Sequence, residues 1–299
     1  MTGRQIFKNA GLLGRPDIQW TSSVAANLNR VLESHCDNVW ASPEIAKYIP
    51  VAHACGTDEV IENCDLAIVL GGDGSLLSVA WDLAQRQIPV AGINFGRLGF
   101  VAGISIQHIE KDLPAVLSGH GVRDERLLLR SYIDSGQIRP GAEQGQSALN
   151  EVLIHMPNIA HLGEFLVSVD GDLLYRIRAD GMIVATPTGS TAYSLSAGGP
   201  ILAPGLEGIS IVPMLAHGPG SGSIVLPAES KITVQTSSQA HLTLDGRHIS
   251  TVPAKAVVAI EQEQRRLSLL QPHSQDFFSR VRDKLGWGLS TATPPSAPH

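Results

Sequence analysis

Residues 66–80 read LAIVLGGDGSLLSVA. Five aliphatic residues of strand type end at Gly71, Gly72, Asp73, Gly74 and Ser75. Leu76, Leu77, Ala80, Leu83 and Ala84 then follow at helical spacing. IPVAGIN (88–94) is a second aliphatic run, so strand, glycine turn, helix and strand make a βαβ unit. Such a unit implies parallel neighbouring strands and a ligand site beyond their C-terminal ends, a Rossmann-like arrangement. Upstream, Val24, Leu28, Val31 and Leu32 lie on one helix face behind Ser22 and Ser23.

From residue 126 the period changes to two. Phe165, Val167 and Val169 alternate with Leu166 and Ser168 ahead of Asp170–Gly171, a hairpin dipeptide. Similar runs recur in KITVQT (231–236), LTLDG (242–246) and KAVVAIE (255–261). The chain therefore reads as an α/β domain over 1–125 and a β-rich, sandwich-like domain over 126–273. Ser274 is placed to cap a closing helix over 274–288 that carries Phe277, Phe278, Val281 and Leu285 and returns to the first domain. The Pro/Ser/Thr-rich stretch 289–299 is expected to be disordered.

Composition narrows the function classes. A net charge of −6 without a Lys/Arg run gives no basic pole for nucleic acid. No apolar stretch approaches the ~20 residues of a membrane span. Cys36, Cys55 and Cys64 have neither disulfide-framework nor zinc-site spacing, which reads as reduced thiols in a cytoplasmic chain.

Gly71, Gly72 and Gly74 let backbone approach a ligand closely, and the helix that follows offers free N–H groups suited to phosphate. An aspartate there repels a bare phosphate. Asp73 therefore fits a Mg²⁺ riding on phosphates, or a base that takes the proton of an attacking hydroxyl. The plainer alternative is that Asp73 caps its own helix. There is no G-x-x-x-x-G-K-[ST] and no protein-kinase H-R-D or D-F-G, and HGPGSGS (217–223) reads as a loop.

A second glycine-rich block, DGMIVATPTGSTAYSLSAGGP (180–200), crowds Ser190, Thr191, Tyr193, Ser194 and Ser196 into seven positions. A hydroxyl-rich turn between glycines can hydrogen-bond sugar or phosphate. Ala192, Leu195 and Ala197 interleave as in a packed turn. Asp180 and Glu151 add carboxylates suited to ribose hydroxyls, and Asn150 adds an amide; singly, each is an ordinary turn or surface residue.

With these pieces in order, GGDGS (71–75), LGF (98–100), ALNEV (148–152), the 180–202 block, VPM (212–214) with His217, and KLGW (284–287), the chain resembles the bacterial NAD kinase (ATP-NAD kinase) family. The resemblance implies an α/β domain followed by a β-sandwich-like domain. It implies transfer of the γ-phosphoryl of ATP, with Mg²⁺ or another divalent metal, to the 2′-hydroxyl of the adenosine ribose of NAD. Asp73 becomes the base, with Gly74 beside it at the dinucleotide. Asn150 and Glu151 are implied to bind NAD near its nicotinamide-side ribose. Asp180, Thr191, Ala192, Tyr193, Ser194, Leu195 and Ser196 are implied to line the site, Arg178 to reach the cofactor, and His161 and Arg247 to contribute more weakly. Family members form homodimers or homotetramers in which a neighbouring subunit completes the site.

The chain departs from the pattern at Ser75 in place of Thr, at VAGIS (101–105), which lacks the usual acidic residue, and at GPGSGSI after His217. Two rival readings follow. One is a related-fold sugar or lipid kinase, which leaves the 180–202 block unused. The other is a dinucleotide-binding regulatory protein with impaired catalysis.

Overall fold

The computed structural model describes residues 6–15, 20–96, 99–134, 146–157, 162–216, 221–273 and 276–287. Among these, the strands form three sheets. The first has the order Ala52–Ala54, Asn38–Ala41, Asn9–Gly14, Leu66–Leu70, Val90–Asn94, Leu267–Gln271, Val122–Arg126, with Ile104–Ser105 also pairing Val90–Asn94. All of its pairings are parallel except that of Val122–Arg126 with Leu267–Gln271.

Helices cover both faces of this sheet, which is why its central strands are apolar throughout rather than alternating. On one face Leu28, Val31 and Leu32 of helix Ser22–His35 pack with Leu12, Ile68 and Ile93, joined by Ile109 and Leu113 of helix Ile109–Leu117. On the other, Val60, Ile61, Leu76 and Leu83 pack with Leu13, Val69 and Val90. The cap of the first helix is Thr21, whose hydroxyl accepts from Val24 N–H, one residue ahead of the serines. The stripe Leu76–Ala84 is split into helices Asp73–Leu77 and Ala80–Gln85. At the break, Ser78 Oγ donates to the Ser75 carbonyl at 2.7 Å, competing with helix propagation.

The other two sheets are antiparallel. One runs Ile224–Pro227, Gly208–Met214, Gly181–Ala185, Glu151–His155, Ala240–Leu244, Arg247–Val252. The other runs Asp172–Ala179, Gly163–Val169, Ile232–Thr236, Val257–Gln262, Leu129–Asp134, Gln146–Ala148. They face each other across one core, where Phe165, Val167, Val234 and Val258 of one meet Val152, Ile154, Val184 and Leu242 of the other. Asp170 (φ 52°) and Gly171 (φ 94°) make the expected tight hairpin.

The chain's return is more extensive than expected. Strand Leu267–Gln271, grouped by sequence with residues 126–273, crosses to the first sheet and lies between two of its strands. Its LSLLQ composition matches any sandwich strand, so only pairing reveals its sheet. The closing helix, Phe277–Leu285, is capped by Asp276, which accepts from Phe278 and Ser279 N–H; Ser274 lies outside the described residues, as does 289–299. The apolar face expected for it is only partly used. Val281 is buried, Phe278 is 63% exposed, and Arg280 is buried in its place.

Candidate functional site

Strand Asn9–Gly14 pairs Asn38–Ala41 on one side and Leu66–Leu70 on the other, so the order of the first sheet reverses there. In open α/β sheets a ligand crevice forms at such a reversal, beyond the C-terminal strand ends. The glycine turn leaves Leu70 at that place.

Asp73 does not cap its own helix. Gly72 is the capping residue, and the Asp73 carboxylate turns to the backbone of Phe100–Ala102. Oδ2 accepts from Phe100 N–H at 2.8 Å, and Oδ1 accepts from Val101 and Ala102 N–H at 3.1 and 2.9 Å. A Cβ on Gly99 would fall on this carboxylate, so the glycine of LGF is needed for the approach. The bonding also shows what VAGIS does. Backbone N–H groups at 101 and 102 engage Asp73, with their Val and Ala side chains buried.

The second part of the site is built on Asp245. Asp245 (φ 48°) and Gly246 (φ 76°) turn the hairpin of Ala240–Leu244 and Arg247–Val252. The Asp245 carboxylate accepts from Leu149, Asn150 and Glu151 N–H at 2.8, 2.7 and 3.2 Å. Those bonds fix the backbone of LNE. Sequence reading took LTLDG for a period-two strand run and gave Asp245 no role; it ends in the same dipeptide as 170–171, yet here the carboxylate turns onto the LNE backbone.

The Thr186–Ser196 turn folds over the same backbone. Thr186 Oγ1 donates to the Leu149 carbonyl at 2.6 Å and accepts from Gly189 N–H at 3.1 Å. Gly189 leaves no room for a Cβ, which would overlap the Asn150 carbonyl. Ser190 Oγ donates to the Pro187 carbonyl and accepts from Leu202 N–H, and Thr191 Oγ1 donates to the Thr188 carbonyl. These hydroxyls build the turn, a different task from contacting a sugar. Asn150 Oδ1, Glu151 Oε2 and Ser194 Oγ are instead buried without a hydrogen-bond partner. Buried polar atoms without partners are uncommon, and three around one turn leave it open to a ligand's hydroxyls or amide. Tyr193 and Ser196 are exposed beside them.

Glu151 is 6% exposed, and burial, reinforced by nearby Asp245, pushes its carboxyl up to about 7. Burial also raises Asp245, against the lowering by its three N–H donors and by Arg247. Between its ordinary 4.5 and about 7, native Glu151 keeps a proton that the unfolded chain has lost. Stability is therefore expected to fall as pH rises through that window and to level off above it. The full effect is about 3 kcal/mol, and Glu151→Gln should flatten it; urea midpoints measured across the window check this.

The remaining sequence candidates divide by place. Arg247 lies next to Asp245. Arg178 lies on strand Asp172–Ala179 of the other antiparallel sheet, opposite Glu164, and Asp180 lies just beyond the far end of strand Gly181–Ala185, whose Ala185 pairs Glu151 and whose Gly181 pairs His155. At about 3.4 Å per residue Asp180 is about 17 Å from Glu151. His161 lies outside the described residues. The two parts of the site meet at the domain junction, where Leu149 and Leu128 share a buried cluster with Leu76 and Val101.

Known proteins resemble this chain in sequence and in fold. Residues 20–121 match the ATP-NAD kinase N-terminal domain and residues 149–271 the ATP-NAD kinase C-terminal domain. An NAD kinase of Chromohalobacter salexigens is 39% identical over 291 residues, covering 95% of this chain and 98% of the relative. One from Cellvibrio japonicus is 42% identical over 77% of each chain. Among solved structures, yeast NADH kinase complexed with NADH aligns with a TM-score of 0.83 at 24% identity, over 96% of this chain and 90% of that one. An Archaeoglobus fulgidus NAD kinase in complex with ATP aligns with a TM-score of 0.69 at 26% identity, over 93% and 97%.

Proposed function

The chain belongs to the ATP-NAD kinase family, and from that premise we propose how its residues divide the work of phosphorylating NAD. The reaction transfers the γ-phosphoryl of ATP to the 2′-hydroxyl of the adenosine ribose, giving NADP and ADP. Little covalent chemistry falls to the protein in such a transfer; positioning and charge stabilisation carry it.

Asp73 receives the proton of the attacking hydroxyl. The observation that carries this reading is its bonding. A carboxylate offers about four acceptor positions, and the backbone of residues 100–102 takes three of them. The position left over, on Oδ2, belongs to an oxygen held in place by the fold and half-open to a substrate. Gly71, Gly72, Gly74 and Ser75 shape the turn for the nucleotide. Asn150, Glu151 and Ser194, with their unpartnered oxygens, take the dinucleotide's hydroxyls and amide, and the Thr191–Ser196 backbone lines the remainder.

Divalent metal arrives on the triphosphate. Among the described residues no three His, Cys, Asp or Glu side chains converge as a metal site of the protein's own. A divalent ion held by the phosphate oxygens of ATP would neutralise charge beside Asp73.

Asp180, about 17 Å from Glu151 along the strand, and Arg178, on the strand Asp172–Ala179 that precedes it, support a shared site. In a homodimer or homotetramer a neighbour's Arg178 and Asp180 reach the ligand that this chain's Glu151 holds. No helix among the described residues is long and apolar enough to cross a membrane. The three free cysteines fit a cytoplasmic setting, with burial pushing Cys36 up to about 12 and Cys64 to about 11.

The test is a coupled assay. Purified protein with Mg²⁺, ATP and NAD should form NADP, read by an NADP-specific dehydrogenase. NAD binding in calorimetry without NADP formation would favour the regulatory reading instead.

A further inference from the structure

Two buried guanidinium groups at the domain junction take no part in the steps above. Arg126 is 3% exposed and Arg280 is 6% exposed. Arg280 Nη1 donates to the Phe100 carbonyl at 2.8 Å, and its Nη2 donates to Gln271 Oε1 at 2.5 Å. Gln271 Nε2 reaches Asp124 Oδ2 at 3.4 Å, and the same oxygen pairs with Arg126 Nη2 at 2.7 Å. Arg126 Nη1 donates to Thr188 Oγ1 at 3.1 Å, inside the turn that covers the LNE backbone. Phe100 is the residue whose N–H holds Asp73 Oδ2. A continuous polar chain thus runs from Asp73 through Phe100, Arg280, Gln271, Asp124 and Arg126 to Thr188.

We propose that Arg280 is a positioning residue for phosphoryl transfer. It fixes the Phe100–Ala102 segment that aims the Asp73 carboxylate, and it sets that segment against the dinucleotide turn at Thr188. The inference rests on the role of Asp73 given above.

The chemistry favours a guanidinium specifically. One side chain must donate in two directions, to a backbone carbonyl and to an amide oxygen, and a planar fork does so where an ammonium makes a point contact. Gly103 gives it room, since a Cβ there would lie 3.2 Å from Gln271 Oε1 and 3.3 Å from Arg280 Nη2. Burying such a network for stability alone has little advantage. Well-packed apolar residues in place of buried ion networks are often neutral or stabilising. Arg280→Met alone leaves the Phe100 carbonyl and Gln271 Oε1 without this donor and so costs stability in either role; turnover is what separates a positioning Arg280 from a structural one.

The experiment is a cycle of Arg280→Lys and Arg280→Met in wild-type and Asp73→Asn backgrounds, reading kcat, the KM for NAD and thermal midpoints. Arg280→Lys should lower kcat about 10- to 100-fold with the KM for NAD within about threefold, because a small misplacement of a reacting group acts on turnover. In the Asp73→Asn background the same change should lower kcat less than about twofold, since both act through one group. Either variant keeping wild-type kcat overturns the proposal, as does an equal loss in both backgrounds. If Arg280→Met fails to fold, Arg280→Lys decides alone. Wild-type turnover in Asp73→Asn itself would remove the Asp73 assignment and this inference together; an impaired Asp73→Asn with additive losses removes only this inference.

Discussion

Asp73→Asn is expected to lower kcat by about 10²- to 10⁴-fold, the range for loss of a positioned general base, while NAD binding stays within about threefold. The contrast between the two readouts separates the proton-accepting role from the scaffolding one. Asp73 also holds the backbone of residues 100–102, so collapse of that segment would weaken binding and turnover together. Asn keeps one oxygen acceptor but turns an N–H₂ donor toward one of the backbone N–H groups. A stability loss of about 1–2 kcal/mol should accompany the kinetic one, and calorimetry with single-turnover rates checks all three. Turnover within twofold of wild type would end the assignment of the base.

The largest effect on the fold is expected at Asp245. Asp245→Ala removes the acceptor of three backbone N–H groups at Leu149, Asn150 and Glu151. Each donor left without a partner in a buried place costs about 1–3 kcal/mol, and the αL backbone at φ 48° suits Ala less than Asp. A loss of about 3 kcal/mol or more should appear as a lower urea midpoint. The KM for NAD should rise at least about tenfold as the LNE backbone relaxes. Asp245→Asn keeps the backbone preference and one acceptor, so it should fall between the two. An Asp245→Ala variant with wild-type stability and KM would show that the LNE backbone is held by the turn at Thr186 alone.

How far the sequence could be read follows from which interactions are local. The βαβ unit around residue 71 and the period-two strands depend on spacing within a few residues, and they lie where the pattern places them. The sheet of strand Leu267–Gln271 was not legible because it is decided by partners about 150 residues away. Asp73, Asn150 and Glu151 stood out as candidates through motif order. Asp245 did not, because a DG turn at a surface and one beneath a ligand site share the same φ requirement. Arg280 was hidden by periodicity itself. Phe278 offered the apolar residue, and a charge beside it is normally placed in solvent.

That late-arriving strand has a consequence for biogenesis. Val90–Asn94 and Val122–Arg126 flank Leu267–Gln271 in the sheet, so on a growing chain both wait, side by side and unjoined, until residue 271 has left the ribosome. Exposed strand edges are templates for association between chains. Nascent copies should therefore be vulnerable to clumping until strand Leu267–Gln271 has emerged and paired. Chains cut short before residue 267 should remain so permanently, with the β-sandwich folded and the glycine-turn sheet left open.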